Sequence, residues 1–303
     1  MVGAGIAGVA CARALTAGGA SVVVLDRGRV VGGRMSSRRL EGRPVDLGAS
    51  YFTADDPGFS AVVEDWVARG VARPWTDAFH TAGPDGLGDL KPGPMRYGAG
   101  GGLRSLVEDL AAGLDVTSRE VTAIGPGPTV DGAAYDAVVL AMPDPQALRL
   151  LDPSLAASRS AIAGREWEPV LALAAGFAER TWDFDGCFVS DSPLSWVADD
   201  GSRRGDGAPV LVAHATPEAS REHLDDPDAA APGLTAALRS LLGLPEPRWT
   251  RVQRWTYAKP VGRREEPYSL VDGVGLCGDG WGASKVQAAW TSGDALGRAL
   301  AAG

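Results

Sequence analysis

The sequence begins MVGAGIAGVACARAL (residues 1–15), and this stretch decides the fold. Gly3, Gly5 and Gly8 follow the G-x-G-x-x-G pattern. In that pattern the first glycine permits a tight turn, the second lets a pyrophosphate approach the backbone, and the third lets a helix pack on a strand. The Ala- and Leu-rich residues that follow predict a helix whose N-terminus offers free N–H groups to phosphate. The turn therefore predicts a dinucleotide-binding α/β fold.

The segment after this helix supplies the second half of the same site. ASVVVLD (residues 20–26) is typical of a buried parallel strand, and it ends in Asp26. An acidic residue at this point accepts hydrogen bonds from ribose hydroxyls in dinucleotide-binding folds. We expect Ile6, Ala7 and Arg27 to contact the same dinucleotide.

The strand that leads into the glycine turn is short. Only Met1 and Val2 precede Gly3, whereas a strand usually has about five or six residues. Loss of about three apolar residues, at about 1.5–3 kcal/mol each, would approach the whole stability of a domain, about 5–15 kcal/mol. We therefore expect either that the natural protein begins upstream of Met1 or that the strand survives as a stub.

Composition and charge limit the class of protein. The 303 residues are 45% hydrophobic and 22% charged, which is enough for two modest domains with a large buried core. The net charge of −9 argues against nucleic acid and anionic membrane as partners. With no bilayer-spanning run and no export-signal pattern, the expected location is the cytoplasm. The sequence carries no signal for oligomeric state.

The sequence gives little support for a metal site or for a catalytic nucleophile. The three cysteines have neither metal-ligand spacing nor the even number typical of disulfides, so the sequence predicts no metal site. The three histidines share no motif, and we expect each to be structural or on the surface: His80, His214 and His223.

A second glycine motif distinguishes FAD from a nicotinamide cofactor. DRGRVVGGRM (residues 26–35) places Gly32, Gly33 and Arg34 shortly after the ribose acid. It resembles the second motif of the FAD-dependent amine oxidase superfamily, whose turn and arginine contact the flavin dinucleotide again. A nicotinamide-dependent dehydrogenase needs no such motif, so that reading is disfavoured.

Two further stretches carry the same resemblance. PVDLGASYFT (residues 44–53) is similar to the superfamily segment that passes beside the isoalloxazine ring, which implies contacts from Ala49 and Ser50. Val121 stands where the backbone of such proteins meets adenine.

The C-terminal region resembles the last superfamily motif. GLCGDGWGASKVQAAW (residues 275–290) predicts a strand that ends at Gly278 and Asp279, followed by a helix that begins near Val286. The resemblance implies that the acid meets the ribityl–phosphate region, while Val286 and Gln287 lie at a helix N-terminus pointing at flavin N1. The positive end of that helix dipole would stabilise a reduced, anionic flavin.

Within the superfamily, the chain resembles renalase-like proteins over nearly its whole length. DLGASYFTADDPGF, RYGAGGGLRSL and VQRWTYAKP occur in the same order as in those proteins. The resemblance implies non-covalent FAD, whose N5 accepts a hydride from dihydronicotinamide isomers of NAD(P)H. Dioxygen then reoxidises the flavin and gives hydrogen peroxide. No cysteine stands in the motif that carries a covalent flavin, and we expect no essential catalytic side chain.

The substrate pocket is predicted from the residues within these motifs. Aromatic side chains would stack the nicotinamide ring and exclude water, and the predicted pocket residues are Tyr51, Gln253, Trp255, Tyr257 and Trp281. Lys259 matches a superfamily lysine that holds a water near N5, although its position before a proline at a strand end favours a solvated lysine. Relatives often carry Gln where Ser50 stands and His where Gln253 stands, and an acid is common where Gln287 stands.

These features predict an α/β protein, with a Rossmann-like FAD-binding domain of the glutathione-reductase and amine-oxidase type. An inserted α+β substrate domain would be built on an antiparallel sheet. The FAD-binding domain is predicted from residues 1–55, 95–150 and 265–303, and the substrate domain from 56–94 and 151–264, with a surface loop at 81–94.

Two other functions remain open from the sequence. The first is a flavin amine oxidase or desaturase that acts on a small amine or secondary metabolite. The second is an FAD-binding protein without turnover, because the first strand is short and the pocket positions differ from those of relatives.

Overall fold

The computed structural model describes residues 1–303. The helices are α1 (Ile6–Ala17), α2 (Pro57–Ala68), α3 (Leu103–Leu110), α4 (Asp144–Leu150), α5 (Ala156–Ile162), α6 (Asp200–Arg204), α7 (Pro217–Arg221), α8 (Ala231–Leu242) and α9 (Val286–Ala302). Short 3-10 helices lie at Gly33–Met35, Pro227–Ala230 and Asp279–Trp281. None of the helices is long and apolar enough to cross a lipid bilayer.

Seventeen strands complete the fold. They are β1 (Val23–Asp26), β2 (Ser37–Leu40), β3 (Arg43–Asp46), β4 (Arg73–Gly83), β5 (Gly86–Gly98), β6 (Asp115–Ser118), β7 (Ile124–Gly125), β8 (Thr129–Val130), β9 (Ala133–Ala134), β10 (Val138–Leu140), β11 (Trp167–Gly176), β12 (Gly186–Val189), β13 (Leu194–Asp199), β14 (Val210–Ala215), β15 (Trp249–Pro260), β16 (Ser269–Val271) and β17 (Val274–Leu276).

The first strand is present as a stub between two parallel neighbours. Val2 bridges Leu25 of β1 on one side and Leu140 of β10 on the other. Its backbone N–H donates to Val139 at 2.8 Å, and its carbonyl accepts from Ala141 at 2.9 Å. The strand order is therefore β6, β1, Val2, β10, β17 and β16. Both of these bonds lie on the β10 side, whereas Met1 and Gly3 bond to Leu25 of β1 at 2.8 Å, so three residues are enough to join the two halves of this sheet.

Four helices cover this sheet on one side. The cluster that joins α1, α2, α3 and α9 includes Val9, Phe59, Leu106 and Trp290, all buried. Helices α1 and α9 pack so closely that a Cβ at Gly293 would lie 2.0 Å from the carbonyl oxygen of Ala7.

The inserted sheet has seven strands in the order β15, β11, β14, β13, β12, β4 and β5, and only the β12–β4 pair is parallel. Its outer face packs on α8, where Leu234, Leu238 and Leu241 are buried. Its inner face packs on Val45 and Leu47 of the other domain. The predicted α/β architecture with an inserted antiparallel sheet is confirmed.

The segment expected to be a surface loop, 81–94, is instead part of a long hairpin, so that prediction is wrong. Strands β4 and β5 pair from Arg73 and Gly98 to Gly83 and Gly86. Pro92 and Pro94 are tolerated because β5 lies at the sheet edge and the pairing is broken by bulges.

Two segments assigned to the substrate domain, within 56–94 and 151–264, pack on the FAD-binding side. Phe59, Val63 and Trp66 of α2 join the cluster around α1 and α9. Leu155 and Ile162, which flank or lie in α5, join the cluster around β10 and β17. The predicted boundary at residue 95 also falls inside β5. Helix patterns show which residues are apolar, but they do not show which sheet those residues cover.

Candidate active site

The glycine turn has the geometry that a pyrophosphate requires. Gly3 has a φ of +106°, and a Cβ there would lie 2.5 Å from the carbonyl oxygen of Ala141. A Cβ at Gly8 would lie 1.9 Å from the carbonyl oxygen of Gly3. At Gly5 the nearest atom would be the Cα of Gly33 at 3.9 Å, so the backbone there faces open space. Two glycines thus permit the packing, while Gly5 leaves room for a ligand.

Helix α1 begins directly at this open space. Ile6 and Ala7 are buried at its first turn, and no side chain caps the N-terminus. The first-turn N–H groups and the positive end of the helix dipole therefore remain available to a phosphate.

Asp26 lies beside the glycine turn. One of its carboxylate oxygens accepts from the N–H of Ala4 and the other from that of Gly28, both at 2.6 Å. The N–H of Arg119 donates to the carbonyl of Asp26 at 2.7 Å, which brings the loop containing Val121 to the same end of β1. Arg27 is exposed next to the carboxylate.

The second glycine motif packs directly on the first. Gly32 donates its N–H to the carbonyl of Ala4 at 2.9 Å, and a Cβ at Gly33 would lie 3.1 Å from the Cα of Gly5. The two motifs therefore form one continuous backbone surface around the opening at Gly5.

Arg34 connects the N-terminal and C-terminal motifs. Its guanidinium forms a two-pronged ion pair with Asp279 and also donates to the carbonyl of Ala258 in β15 at 2.9 Å. It lies 5.3 Å from the centre of the Trp167 ring. Residues about 245 positions apart in sequence thus meet at one point.

The start of α9 faces the same region. Gly278 donates its N–H to the hydroxyl of Ser292 at 2.9 Å, which fixes the end of the β17 segment on α9. No side chain caps the N–H groups that begin at Val286. The side-chain oxygen of Gln287 accepts from the N–H of Asp55 at 2.7 Å, so Gln287 holds the 55–56 segment in place.

Residues 47–51 run between this region and the inserted sheet. Ala49 donates its N–H to the carbonyl of Arg34 at 2.9 Å. Trp255 of β15 donates from Nε1 to the carbonyl of Leu47 at 2.7 Å, and Trp196 of β13 donates to the hydroxyl of Ser50 at 3.0 Å. Two tryptophans of the sheet therefore hold the segment that the sequence predicts to pass the flavin ring.

The predicted pocket residues have four different surroundings. Gln253 and Trp255 lie on the inner face of the sheet, while Tyr257 lies under the guanidinium of Arg149, 5.7 Å from its ring centre. Tyr51 packs its ring 5.6 Å from that of Trp196. Trp281 is not brought to this face.

Trp281 and Lys259 have their own surroundings. Trp281 is buried in the cluster around β10 and β17, with the guanidinium of Arg264 4.3 Å from its ring centre. Core packing explains it without a substrate. Lys259 is exposed and lies opposite Glu168 in the β11–β15 pair, and it forms no ion pair within 4.0 Å.

His214 is the residue of this face that the sequence did not reveal. It lies on β14, directly opposite Ala172 on one side and Trp196 on the other, and Gln253 stands opposite Ala172 on the next strand. Gln253, Ala172, His214 and Trp196 thus form a row across the inner face. The alternation of VLVAHA (residues 210–215) places His214 with Val210 and Val212, but no sequence signal tells which face is inner.

The Nε2 atom of His214 is buried without a hydrogen-bond partner. Burial lowers the pKa of His214 to about 3, and the charges of Lys259 and Arg203 act in the same direction. The imidazole is therefore neutral at physiological pH. An unpartnered buried nitrogen beside residues 47–51 is free to hydrogen-bond to a bound molecule.

The residues present fit FAD. The opening at Gly5 and the uncapped α1 suit a pyrophosphate, and the carboxylate of Asp26 lies beside them. Arg34 and Asp279 meet between the two motifs and the start of α9. FAD, when bound, supplies the hydride acceptor that the side chains of this chain lack.

Comparison with known proteins defines the class. The model of the NAD(P)-binding Rossmann-like domain matches residues 1–66, and that of the flavin containing amine oxidoreductase family matches residues 88–295. The chain belongs to the flavin containing amine oxidoreductase family. It is an FAD-dependent oxidoreductase with a Rossmann-like cofactor domain.

Individual relatives are similar over different extents. Putrescine oxidase of Kocuria rosea is 32% identical over 126 residues, which are 42% of this chain and 26% of that protein's length. A provisionally assigned protoporphyrinogen oxidase of Exiguobacterium sp. 255-15 has a TM-score of 0.77 at 15% identity, over 99% of this chain and 98% of that one. Cyclohexylamine oxidase of Brevibacterium oxydans IH-35A has a TM-score of 0.75 at 14% identity, over 99% and 98%. At these identities the structures show the fold alone.

Proposed function

We propose that this chain is a renalase-like oxidase, which takes a hydride from dihydronicotinamide isomers of NAD(P)H and passes it to FAD. Dioxygen accepts the electrons in turn, so that one substrate, one proton and one O2 give one oxidised nicotinamide and one H2O2. The observation that carries the proposal is the neutral imidazole of His214 on the sheet face.

A dihydropyridine needs no base to give up its hydride, because its ring becomes aromatic and no N–H or O–H proton leaves. An alkylamine is protonated near neutrality and must lose a proton before hydride transfer. With a pKa of about 3, His214 is too weak a base to take that proton at physiological pH. The charges of Lys259 and Arg203 also disfavour a cation at this face.

The chain's own residues would then bind and orient the substrate. Trp255 and Trp196, fixed on residues 47–51, supply flat apolar surfaces beside the reacting ring and exclude water. The free Nε2 of His214 would hydrogen-bond to the carboxamide of the nicotinamide, and Gln253 lies in the same row across the sheet. In this proposal Trp281 does not contact the substrate, and its role is to support the C-terminal motif.

Oxidation of a small amine is the second candidate. It is supported by the identity with putrescine oxidase and by the fold shared with cyclohexylamine oxidase. A neutral imidazole would accept a hydrogen bond from an uncharged amine, and Lys259 would then be the group that holds a water.

Peroxide formation in air separates the two candidates. The FAD-loaded protein is mixed in turn with a mixture of dihydronicotinamide isomers, ordinary NADH, putrescine and cyclohexylamine. The proposal predicts peroxide, with an equal amount of oxidised nicotinamide, from the isomers and at least tenfold less from each of the others. If an amine gives peroxide together with ammonia, and the isomers give no peroxide, the proposal is wrong and the protein is an amine oxidase.

A further inference from the structure

Arg96 is a buried cation that the chain itself does not neutralise. It lies on the edge strand β5 and is 8% exposed. Its guanidinium stacks 4.2 Å from the centre of the Phe79 ring. Its Nη1 atom is buried without a hydrogen-bond partner, and no carboxylate lies within 4.0 Å of its guanidinium.

Two other buried arginines of this protein, unlike Arg96, lie next to carboxylates. Arg203 pairs with Asp200, and Arg204 contacts both Asp200 and Asp46 at 2.9 Å. A buried charge is costly unless it is paired, and this chain pairs those two. The contrast indicates that the counter-charge of Arg96 comes from a bound molecule.

Arg96 lies next to the pocket rather than on a remote surface. The ring of Tyr51 is 5.2 Å from that of Phe79, on which Arg96 stacks. Burial raises the pKa of Tyr51, and the charge of Arg96 opposes that rise, so the two side chains are electrostatic neighbours. Tyr51 follows Ser50, which Trp196 holds. Arg96 therefore stands just beyond the segment that is expected to pass the flavin.

We propose that Arg96 binds an oxyanion of the substrate, a phosphate or a carboxylate, at the end of the pocket away from the reacting carbon. A guanidinium offers paired N–H groups in the geometry that such an anion accepts, and the Phe79 ring lies against this one at 4.2 Å. This inference rests on the proposed function and deepens it, since a dinucleotide substrate carries phosphates at a distance from its nicotinamide ring. A carboxylate-bearing amine would use the same arginine.

The kinetic test compares substrates with and without phosphate. Arg96→Gln should raise KM for the dinucleotide isomers about tenfold to a hundredfold with little change in kcat, because a charge-assisted hydrogen bond is lost. It should leave KM for the matching dihydronicotinamide riboside isomers, which lack phosphate, unchanged. Arg96→Lys should recover part of the loss. Arg39→Gln removes an exposed charge from β2 and is the matched control.

An equilibrium test does not depend on turnover. Calorimetry of the FAD-loaded protein with inorganic phosphate and with acetate should show binding that weakens as salt rises and that disappears in Arg96→Gln. Preference for phosphate supports a nucleotide substrate, and preference for acetate supports a carboxylate. If the isomers prove not to be substrates while anion binding still requires Arg96, the proposed function fails and this inference stands.

Thermal unfolding distinguishes anion binding by Arg96 from a purely structural role of this residue. Arg96→Met keeps an unbranched stem over Phe79 and removes the unpaired charge, so the melting temperature without anion should stay equal or rise. Unchanged anion affinity in Arg96→Gln or Arg96→Met, or an equal KM increase with the riboside, would overturn the inference. A lowered melting temperature with unchanged anion binding would also overturn it, since the arginine would then be structural.

Discussion

At the scale of single residues, different glycines of the turn serve folding and cofactor binding, so variants at these positions should separate the two effects. A methyl group at Gly5 meets only the Cα of Gly33 at 3.9 Å, and the φ of −76° suits any residue. Gly5→Ala should therefore fold normally while its Cβ projects into the phosphate space. We expect FAD affinity to fall about tenfold to a hundredfold, the loss of one or two hydrogen bonds to a charged group, as measured by titration of the flavin-free protein with FAD.

Gly8→Ala is the contrasting variant in the same turn. Its Cβ would lie 1.9 Å from the carbonyl oxygen of Gly3, so the helix must shift, at a cost of about 1–3 kcal/mol of folding stability. Urea unfolding should therefore show a loss in Gly8→Ala and none in Gly5→Ala. Equal stability loss with unchanged FAD affinity in both would contradict the account of this turn.

The neutral imidazole of His214 makes stability depend on pH. Its folded pKa of about 3 lies below the unfolded value of about 6.5, so the unfolded chain binds the extra proton as pH falls between them. The contribution is complete above about pH 6.5 and is lost progressively below it. Urea unfolding should show a loss of about 1–2 kcal/mol from this group between pH 7 and pH 5.

The control for this prediction is His214→Asn, which cannot titrate. Lys259 and Arg203, the charged groups that act on His214 from β15 and α6, remain in that variant. Its unfolding free energy should change less between pH 7 and pH 5 than that of the natural chain. An identical pH slope in both proteins would show that the imidazole is not held neutral.

At the scale of elements, the short helix α6 locks the inserted sheet to the cofactor domain. Asp200 pairs with Arg204 at 2.9 Å and with Arg43 of β3 at 2.8 Å, and Arg203 donates to the carbonyl of Ser50 at 2.6 Å. Burial alone would raise the pKa of Asp200, but the neighbouring arginines hold it below its usual value. The same network that fixes α6 therefore also positions residue 50.

Removal of the Asp200 charge should leave buried arginines without a counter-charge. We expect Asp200→Asn to lower the free energy of unfolding by about 3–5 kcal/mol, measured in urea. Asp206→Asn removes an exposed partner of the same Arg43, 2.8 Å away, and should cost less than about 1 kcal/mol. Comparable losses in the two variants would refute the distinction between the buried and the exposed pair.

Also at this scale, elements with strong local signals were predictable. The turn at Gly3, the helix after it and the start of α9 carry glycine patterns and apolar periodicity, which are local in sequence. The hairpin of β4 and β5 was missed because Pro92 and Gly93 are typical of loops, whereas β5 forms the edge strand of the sheet and pairs with β4 across bulges. Edge position and bulges are tertiary properties.

At the scale of the whole molecule, the cofactor half of the site was far more predictable than the substrate half. Asp26 and the glycines act through backbone geometry that their own motif encodes. His214 and Arg96 can be recognised as candidate site residues only in the folded protein. There β14 and β5 belong to one sheet, and a side-chain nitrogen of each residue is buried without a hydrogen-bond partner. Family resemblance implied that Arg34 and Asp279 both contact the cofactor, but their ion pair was not predicted, because no local pattern joins the two ends of the chain.

The central claim concerns the cofactor half and the substrate half of the site together. It is that FAD and a hydride donor meet between residues 47–51 and the inner face of the sheet. The most direct test is the visible absorption spectrum of the FAD-loaded protein, recorded without oxygen before and after addition of dihydronicotinamide isomers. The account predicts a flavin spectrum that bleaches rapidly with the isomers and much more slowly with ordinary NADH. A flavin spectrum that stays unchanged with the isomers and bleaches with a small amine would contradict it.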